Sequence, residues 1–193
     1  GSATGGDYGT PSFSNGVTLS GSVLTVPAGV TGFTITLPTV QDSLYEGNET
    51  VPLTVGGATG TGTIVDNETA PALSVGSTTV SEDAGYAVFT VSLSRPSAVT
   101  TTVSLALGNG SATGGAVDFG ALDGSNLQVS TDGGLTWSNA SSYSFAPGAT
   151  SVLVRTPIVN DVIYEPVAES FTLTATTTAG TTSNASATGA GTI

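Results

Sequence analysis

Four runs of this chain alternate two sets of side chains, residue by residue. Phe89, Val91 and Leu93 alternate with Val88, Thr90 and Ser92, and Val103, Leu105 and Leu107 with Thr102, Ser104 and Ala106. Phe33, Ile35 and Leu37 alternate with Thr34 and Thr36, and Phe171, Leu173 and Ala175 with Thr172 and Thr174. A period of two puts one set on a buried sheet face and the other in water. No stretch carries a convincing helical period. Turn signals separate the runs, and the wealth of Thr and Val suits pleated surfaces. The expected fold is therefore all-β, an antiparallel β-sandwich.

The chain also repeats itself. Ser2-Ala3-Thr4-Gly5-Gly6-Asp7-Tyr8 returns as Ser111-Ala112-Thr113-Gly114-Gly115-Ala116-Val117-Asp118-Phe119, and Gly60-Thr61-Gly62-Thr63-Ile64 as Gly189-Ala190-Gly191-Thr192-Ile193. Between these lie two acidic stretches. Asp42, Glu46 and Glu49 stand in the first, and Asp161, Glu165 and Glu169 in the second. The second copy is the longer, with an insertion around 123–142 that reads as a hairpin with an Asp132-Gly133 turn. Residues 1–68 are expected to be the C-terminal part of one repeat and residues 69–193 a nearly complete second one. The boundary runs through Asp66-Asn67-Glu68-Thr69-Ala70-Pro71, a polar linker ending in Pro. The first copy lacks a counterpart to residues 72–110. Short linkage favours pairing of 72–110 with 111–193; the alternatives are that 72–110 serves residues 1–68 instead, that the half-repeat folds with help, or that a neighbouring chain completes it by strand exchange. The matching begins and ends inside motifs, so the stretch reads as part of something longer.

The acids supply the chemistry. The chain has a net charge of −12, from 14 Asp and Glu against Arg95 and Arg155 alone, and has no Cys or His. Such a balance disfavours nucleic acid and anionic membranes, which call for clustered Lys and Arg. No run of about 18 apolar residues offers a membrane span. Without His or Cys the usual bases, thiol nucleophiles and zinc ligands are missing, and no enzymatic role is expected. All the acids except Asp123 and Asp132 fall in repeated loops or at the junction: Asp7, Asp42, Glu46 and Glu49; Asp66 and Glu68; Glu82, Asp83, Asp118, Asp161, Glu165 and Glu169. Crowded carboxylates repel one another, and a bound cation is the simple compensation. Ca²⁺ takes six to eight oxygen ligands of this kind, so these acids are the candidate ligands for Ca²⁺. Arg95 and Arg155 read as surface charges, and Trp137 as packed against the sandwich.

These motifs resemble the Calx-β family. Its pattern has Ser-Glu-Asp-Ala-Gly near the first strand (Ser81 to Gly85 here) and Ala-Thr-x-Gly-x-Asp-Tyr (Ala3 to Tyr8, Ala112 to Phe119). An Asp-x3-Glu-x2-Glu loop follows (Asp42 to Glu49, Asp161 to Glu169), then a closing Gly-x-Ile-x-Asp-Asn (Gly62 to Asn67). Asp118 and Glu169 each stand one residue later than the pattern. The resemblance implies an immunoglobulin-like sandwich in tandem repeats, with Ca²⁺ at one end. The Ser-Thr-Asp-Gly-Gly-Leu-Thr-Trp hairpin and the Lys-free composition are similar to giant bacterial surface adhesins of the RTX type.

The expected function is a calcium-stabilised extender repeat of such an adhesin, outside the cell, whose partners are neighbouring repeats. The alternatives are a ligand- or glycan-binding adhesion module, with Trp137 and Tyr143 as its aromatic patch, and a calcium sensor of the kind found in sodium–calcium exchangers.

Overall fold

The computed structural model describes residues 2–162 and 167–193. The chain divides into two compact units, Gly1–Asp42 with Gly47–Asn67, and Ser43–Glu46 with Glu68–Ile193. The stretch Ser43–Glu46 packs with the second unit because Tyr45 forms a parallel bridge with Ser97. Its N–H donates to the Pro96 carbonyl at 3.2 Å, and its carbonyl accepts from Ala98 at 2.9 Å. Among the described residues no helix is long and apolar enough to cross a membrane.

The second unit is a sandwich. Its strands are β7 (Leu73–Val75), β8 (Thr78–Thr79), β9 (Tyr86–Leu93), β10 (Thr101–Asn109), β11 (Gln128–Ser130), β12 (Ser138–Asn139), β13 (Ser142–Phe145), β14 (Ser151–Pro157), β15 (Ser170–Ala179) and β16 (Ser186–Thr192). One sheet runs β13-β10-β15-β16-β8 and the other β12-β11-β14-β9-β7. All pairings are antiparallel except β16 with β8. The strands of 72–109 thus pair with one another, β7 with β9, and with β13, β14, β15 and β16.

The alternation decides the core. Phe89, Val91 and Leu93 of one sheet and Val103, Leu105, Leu107, Phe171, Leu173 and Ala175 of the other are buried in a single cluster. Phe89 meets Phe171 edge-on across the sandwich with ring centroids 5.8 Å apart, and Phe119 stacks on Phe171 at 4.4 Å. The intervening Thr and Ser are more exposed, and pair across strands on the wet face, as Thr174 does with Thr188 at 2.9 Å.

The first unit has β1 (Ser12–Phe13), β2 (Thr18–Ser20), β3 (Val23–Thr25), β4 (Ile35–Thr36), β5 (Glu49–Val55) and β6 (Ala58–Ile64). They form three two-stranded sheets, β1-β4, β2-β3 and β5-β6. Val17 is its one buried apolar residue among those described. Phe33, Ile35 and Leu37 are only half-buried, and Leu53 is 47% exposed.

The insertion forms the expected hairpin, β11 with β12. Asp132 ties its loop, accepting from Ser130 Oγ at 2.8 Å, Leu135 N at 3.0 Å and Thr136 N at 2.9 Å. These bonds, led by those from Thr136, hold its carboxyl far below the usual carboxylate range. Arg155 is no simple surface charge. Its guanidinium carbon lies 3.8 Å from the Tyr86 ring centroid and 4.2 Å from that of Trp137, and its Nε donates to Gln128 at 2.8 Å. Trp137, half-buried, donates to the Gly134 carbonyl at 3.0 Å.

Candidate metal centre

The same local frame is built twice. In the first unit Tyr8 bridges Thr39, and Val40 N donates to the Asp7 carbonyl at 2.9 Å. In the second, Phe119 bridges Ile158, and Val159 N donates to the Asp118 carbonyl at 2.9 Å. Ala3 N reaches the Thr50 carbonyl at 3.3 Å, as Ala112 N reaches that of Ser170 at 2.9 Å. Thr50 N donates to Ser2 Oγ at 3.0 Å, and Ser170 N to Ser111 Oγ at 2.9 Å. The hairpins align as well. Glu49 faces Ile64 in register, and Glu169 and Ile193 exchange two backbone bonds of 2.9 Å. Glu169 therefore holds the place of Glu49, and Asp118 that of Asp7, despite their later positions in sequence. The two extra residues before Asp118 are absorbed in the turn, where Ala116 takes a left-handed φ of 67° and its N–H closes onto the Phe119 carbonyl at 2.9 Å.

This frame presses an Asp and a Glu together in each unit. Carboxylate oxygens of Asp7 and Glu49 lie within 4.8 Å of one another. Asp7, only 8% exposed, also accepts from Thr4, through both its N–H and its hydroxyl, the latter at 2.9 Å. Those bonds hold the Asp7 carboxyl below its ordinary value. Glu49 is pushed the other way. Burial is the main cause, followed by the charge of Asp7, the hydrogen bond to it, and the charge of Asp66. In the second unit Thr113 N donates to Asp118 Oδ2 at 2.6 Å. Glu169 is raised by burial first and then by the charge and hydrogen bond of Asp118. Its Oε2 is buried without a hydrogen-bond partner among the described residues. Thr4 and Thr113, which donate hydrogen bonds to Asp7 and Asp118, are residues that sequence reasoning did not single out, although both sit in the repeated Ala-Thr-Gly-Gly motif.

The other candidates fall around these pairs. In the first unit Asp66 accepts from Gly47 N at 2.6 Å, and its own N–H donates to Asn48 Oδ1 at 3.1 Å. That folds the closing motif back onto the Glu49 loop. Asp42 is exposed, and Gln41 Nε2 links its carbonyl at 2.9 Å to Asn67 Oδ1 at 3.0 Å. Glu46 ends the stretch that packs with the second unit, and Glu68 begins the main body of that unit. In the second unit Glu82 opens a 3₁₀ turn, Glu82–Ala84, and accepts from Asp161 N at 3.4 Å. Gly85, just after it, bonds Ile158 N at 3.0 Å. Glu82, Asp161, Asp118 and Glu169 thus come from loops that the Ile158–Val159 segment gathers to one end of the sandwich. Asp83 is exposed and bonded to the Ser81 hydroxyl. Glu165 lies outside the described residues. Among the described residues of this unit, no three carboxylates come within 4.8 Å of one another.

Two carboxylates in hydrogen-bond contact cannot both ionise without compensation. They share a proton or take a cation. The donors here are all hard oxygens, and one buried carboxylate oxygen has no hydrogen-bond partner among the described residues. That set fits Ca²⁺, or less closely Mg²⁺, and not a softer metal.

A family model described as the Calx-beta domain matches residues 18–74, 65–134 and 138–191. No match to the chain is found among curated proteins. Among solved structures the chain is similar to the apo form of the Calx CBD1 domain, at 20% identity and a TM-score of 0.43, over 62% of this chain and 96% of that one. It is also similar to CBD12 from CALX1.2, at 19% identity and 0.43, over 61% of this chain and 44% of that one. The calcium binding domain CBD12 of CALX1.1 is similar at 19% and 0.42, over 62% of this chain and 43% of that one.

Proposed function

This chain belongs to the Calx-beta domain family, and from that premise we propose that it binds Ca²⁺ and serves as a structural extender of a large bacterial cell-surface adhesin, outside the cell. Asp7 with Glu49 would hold an ion in the first unit, and Asp118 with Glu169 in the second. Asp66, Glu82 and Asp161 lie in the loops that would complete the shells, and Glu165 is a further candidate from the sequence. The supporting observation is the duplication of the acidic pair. Both units place Asp on the same carbonyl-bonded turn and Glu at the same point of a hairpin, and both raise the Glu.

When bound, Ca²⁺ supplies two positive charges that remove the like-charge cost of each pair. The chain's own residues do the rest. Thr4 and Thr113 fix one face of each Asp, and the hairpins fix each Glu. Asp66 and Glu68, on the linker, would supply further carboxylates toward a neighbouring repeat. The composition supports the extracellular setting, since a Cys-free fold stabilised by calcium needs no disulfide. Neighbouring repeats are the expected partners, with no nucleic acid, no membrane insertion and no catalysis. The stack of Arg155 on Trp137 weighs against the glycan-platform alternative, because it occupies one ring face.

The test compares melting and small-angle scattering in calcium and in chelator. Extracellular-type sites bind at about 10⁻⁴ M, and tenfold excess over such a constant stabilises by about 1.4 kcal/mol per site. A raised melting temperature and a longer, stiffer particle are expected in calcium. Identical melting and scattering in both would refute the proposal.

A further inference from the structure

Arg155 is one of two cations in a chain with 14 acids, yet among the described residues no acid pairs with it. Strand register places it instead in a polar row across the outer face of one sheet. Asn139 of β12 faces Gln128 of β11, Gln128 faces Arg155 of β14, and Arg155 faces Val88 of β9. Arg155 Nε donates to Gln128 Oε1 at 2.8 Å, and Gln128 Nε2 donates on to Asn139 Oδ1 at 2.9 Å. Both amide oxygens of the row are thus occupied, and what remains are donors. The Arg155 η nitrogens and Asn139 Nδ2 have no partner among the described residues, and the η nitrogens reach water. The guanidinium is held in place by the rings of Tyr86 and Trp137, whose centroids lie 3.8 and 4.2 Å from its carbon. A fork tethered at Nε and packed against two rings has little freedom left to lose on binding.

We propose that this row is a binding site for a sugar acid of the uronate type. The fork takes the carboxylate through paired charge-assisted bonds, and the Asn139 amide takes the ring or hydroxyl oxygen beside it. The leftover donors select this chemistry. A neutral sugar leaves the guanidinium charge unmatched. A glutamate or aspartate side chain fills the fork but carries only a methylene beside its carboxylate, so the amide goes without an acceptor. A uronate offers both groups on adjacent atoms. Tyr86 and Val88, 39% and 38% exposed, border the row on β9 and present apolar surface to the sugar's C–H groups. Recognition is through the carboxylate and not by stacking on Trp137, one face of which Arg155 covers. The net charge of −12 repels polyanions, so the ligand is a single terminal uronate and not a run of them.

The test titrates the intact chain with glucuronate at a fixed free calcium concentration, reading the single-Trp fluorescence and the Asn139 side-chain amide signals. Glucose and propionate are the comparators; propionate stands for a polypeptide carboxylate. Glucuronate should give a saturable response in both readouts and bind about threefold or more tighter than propionate, and glucose should not bind. Arg155→Lys keeps the charge and loses the fork, and should weaken glucuronate about tenfold or more. Asn139→Ala, at an exposed position, should bring glucuronate level with propionate, and this variant decides alone if Arg155→Lys loosens the hairpin. No saturable response to glucuronate, propionate binding as tightly as glucuronate to the intact chain, glucose binding as tightly, or affinity unchanged in folded Arg155→Lys or in Asn139→Ala would each overturn the proposal.

Discussion

Leu173 is completely enclosed in the second unit, and Leu53, which holds its place in the first, is 47% exposed. The two hairpins carrying them have the same register and the same glycines. The two turns that present Asp7 and Asp118 share the same backbone bonds. The difference teaches that the acidic pair and the core are separable. The pair is held by local backbone: a turn bonded to a two-residue bridge, with Thr donating to Asp. The core needs the strands of 72–109. The first unit presents the paired carboxylates while its Phe33, Ile35 and Leu37 are only half-buried.

The largest effect should come from the core. Leu173→Ala should cost about 3–5 kcal/mol in chemical denaturation, through lost transfer energy and a cavity. Leu53→Ala should cost less than about 1 kcal/mol, since the side chain is already half in water. Equal costs would break the comparison. Next come the glycines. Gly189→Val drives a side chain into the Gly76 backbone and should cost at least about 1–3 kcal/mol, whereas Gly60→Val should be nearly silent.

The pH dependence is smaller and has a definite sign. Glu49 and Glu169 are raised from their ordinary 4.5. The metal-free folded state therefore holds more protons than the unfolded one above pH 4.5, so stability falls as pH rises from there through the folded values. Asp7 and Asp132 are lowered from 3.8, so their contribution is lost as pH falls below 3.8. Metal-free melting should thus peak at about pH 4–5, and calcium should flatten the decline above it. A metal-free optimum at neutral pH would contradict the pairing. Smallest is the stack found only in the second unit. Trp137→Ala should cost about 0.5–1 kcal/mol beyond its buried area, and Arg155→Lys should red-shift or blue-shift the single-Trp fluorescence without unfolding.

Much of this was legible in the residues. Period-two alternation marked β9, β10 and β15, and their inward sets, Phe89 to Leu93, Val103 to Leu107 and Phe171 to Ala175, are the core. The repeated Ala-Thr-Gly-Gly and acidic stretches marked the frame of the site. Other features depend on three-dimensional register. Sequence spacing sets Asp118 and Glu169 one residue late, but a turn can absorb extra residues when one adopts a left-handed φ, as Ala116 does. Phe33, Ile35 and Leu37 alternate as well as any core strand, yet half-buried alternation looks the same as buried alternation until the covering sheet is known. Arg155 gave no signal, because Tyr86 and Trp137 meet it only through β14 pairing with β9 and the hairpin folding alongside.

The most direct test is a calorimetric Ca²⁺ titration of the intact chain beside Asp7→Asn, Asp118→Asn and Asp132→Asn. The account predicts binding by the intact chain, a separate partial loss for Asp7→Asn and for Asp118→Asn, and no loss for Asp132→Asn, whose carboxylate is spent in its own loop. Absence of binding, or isotherms that ignore Asp7 and Asp118, would contradict it.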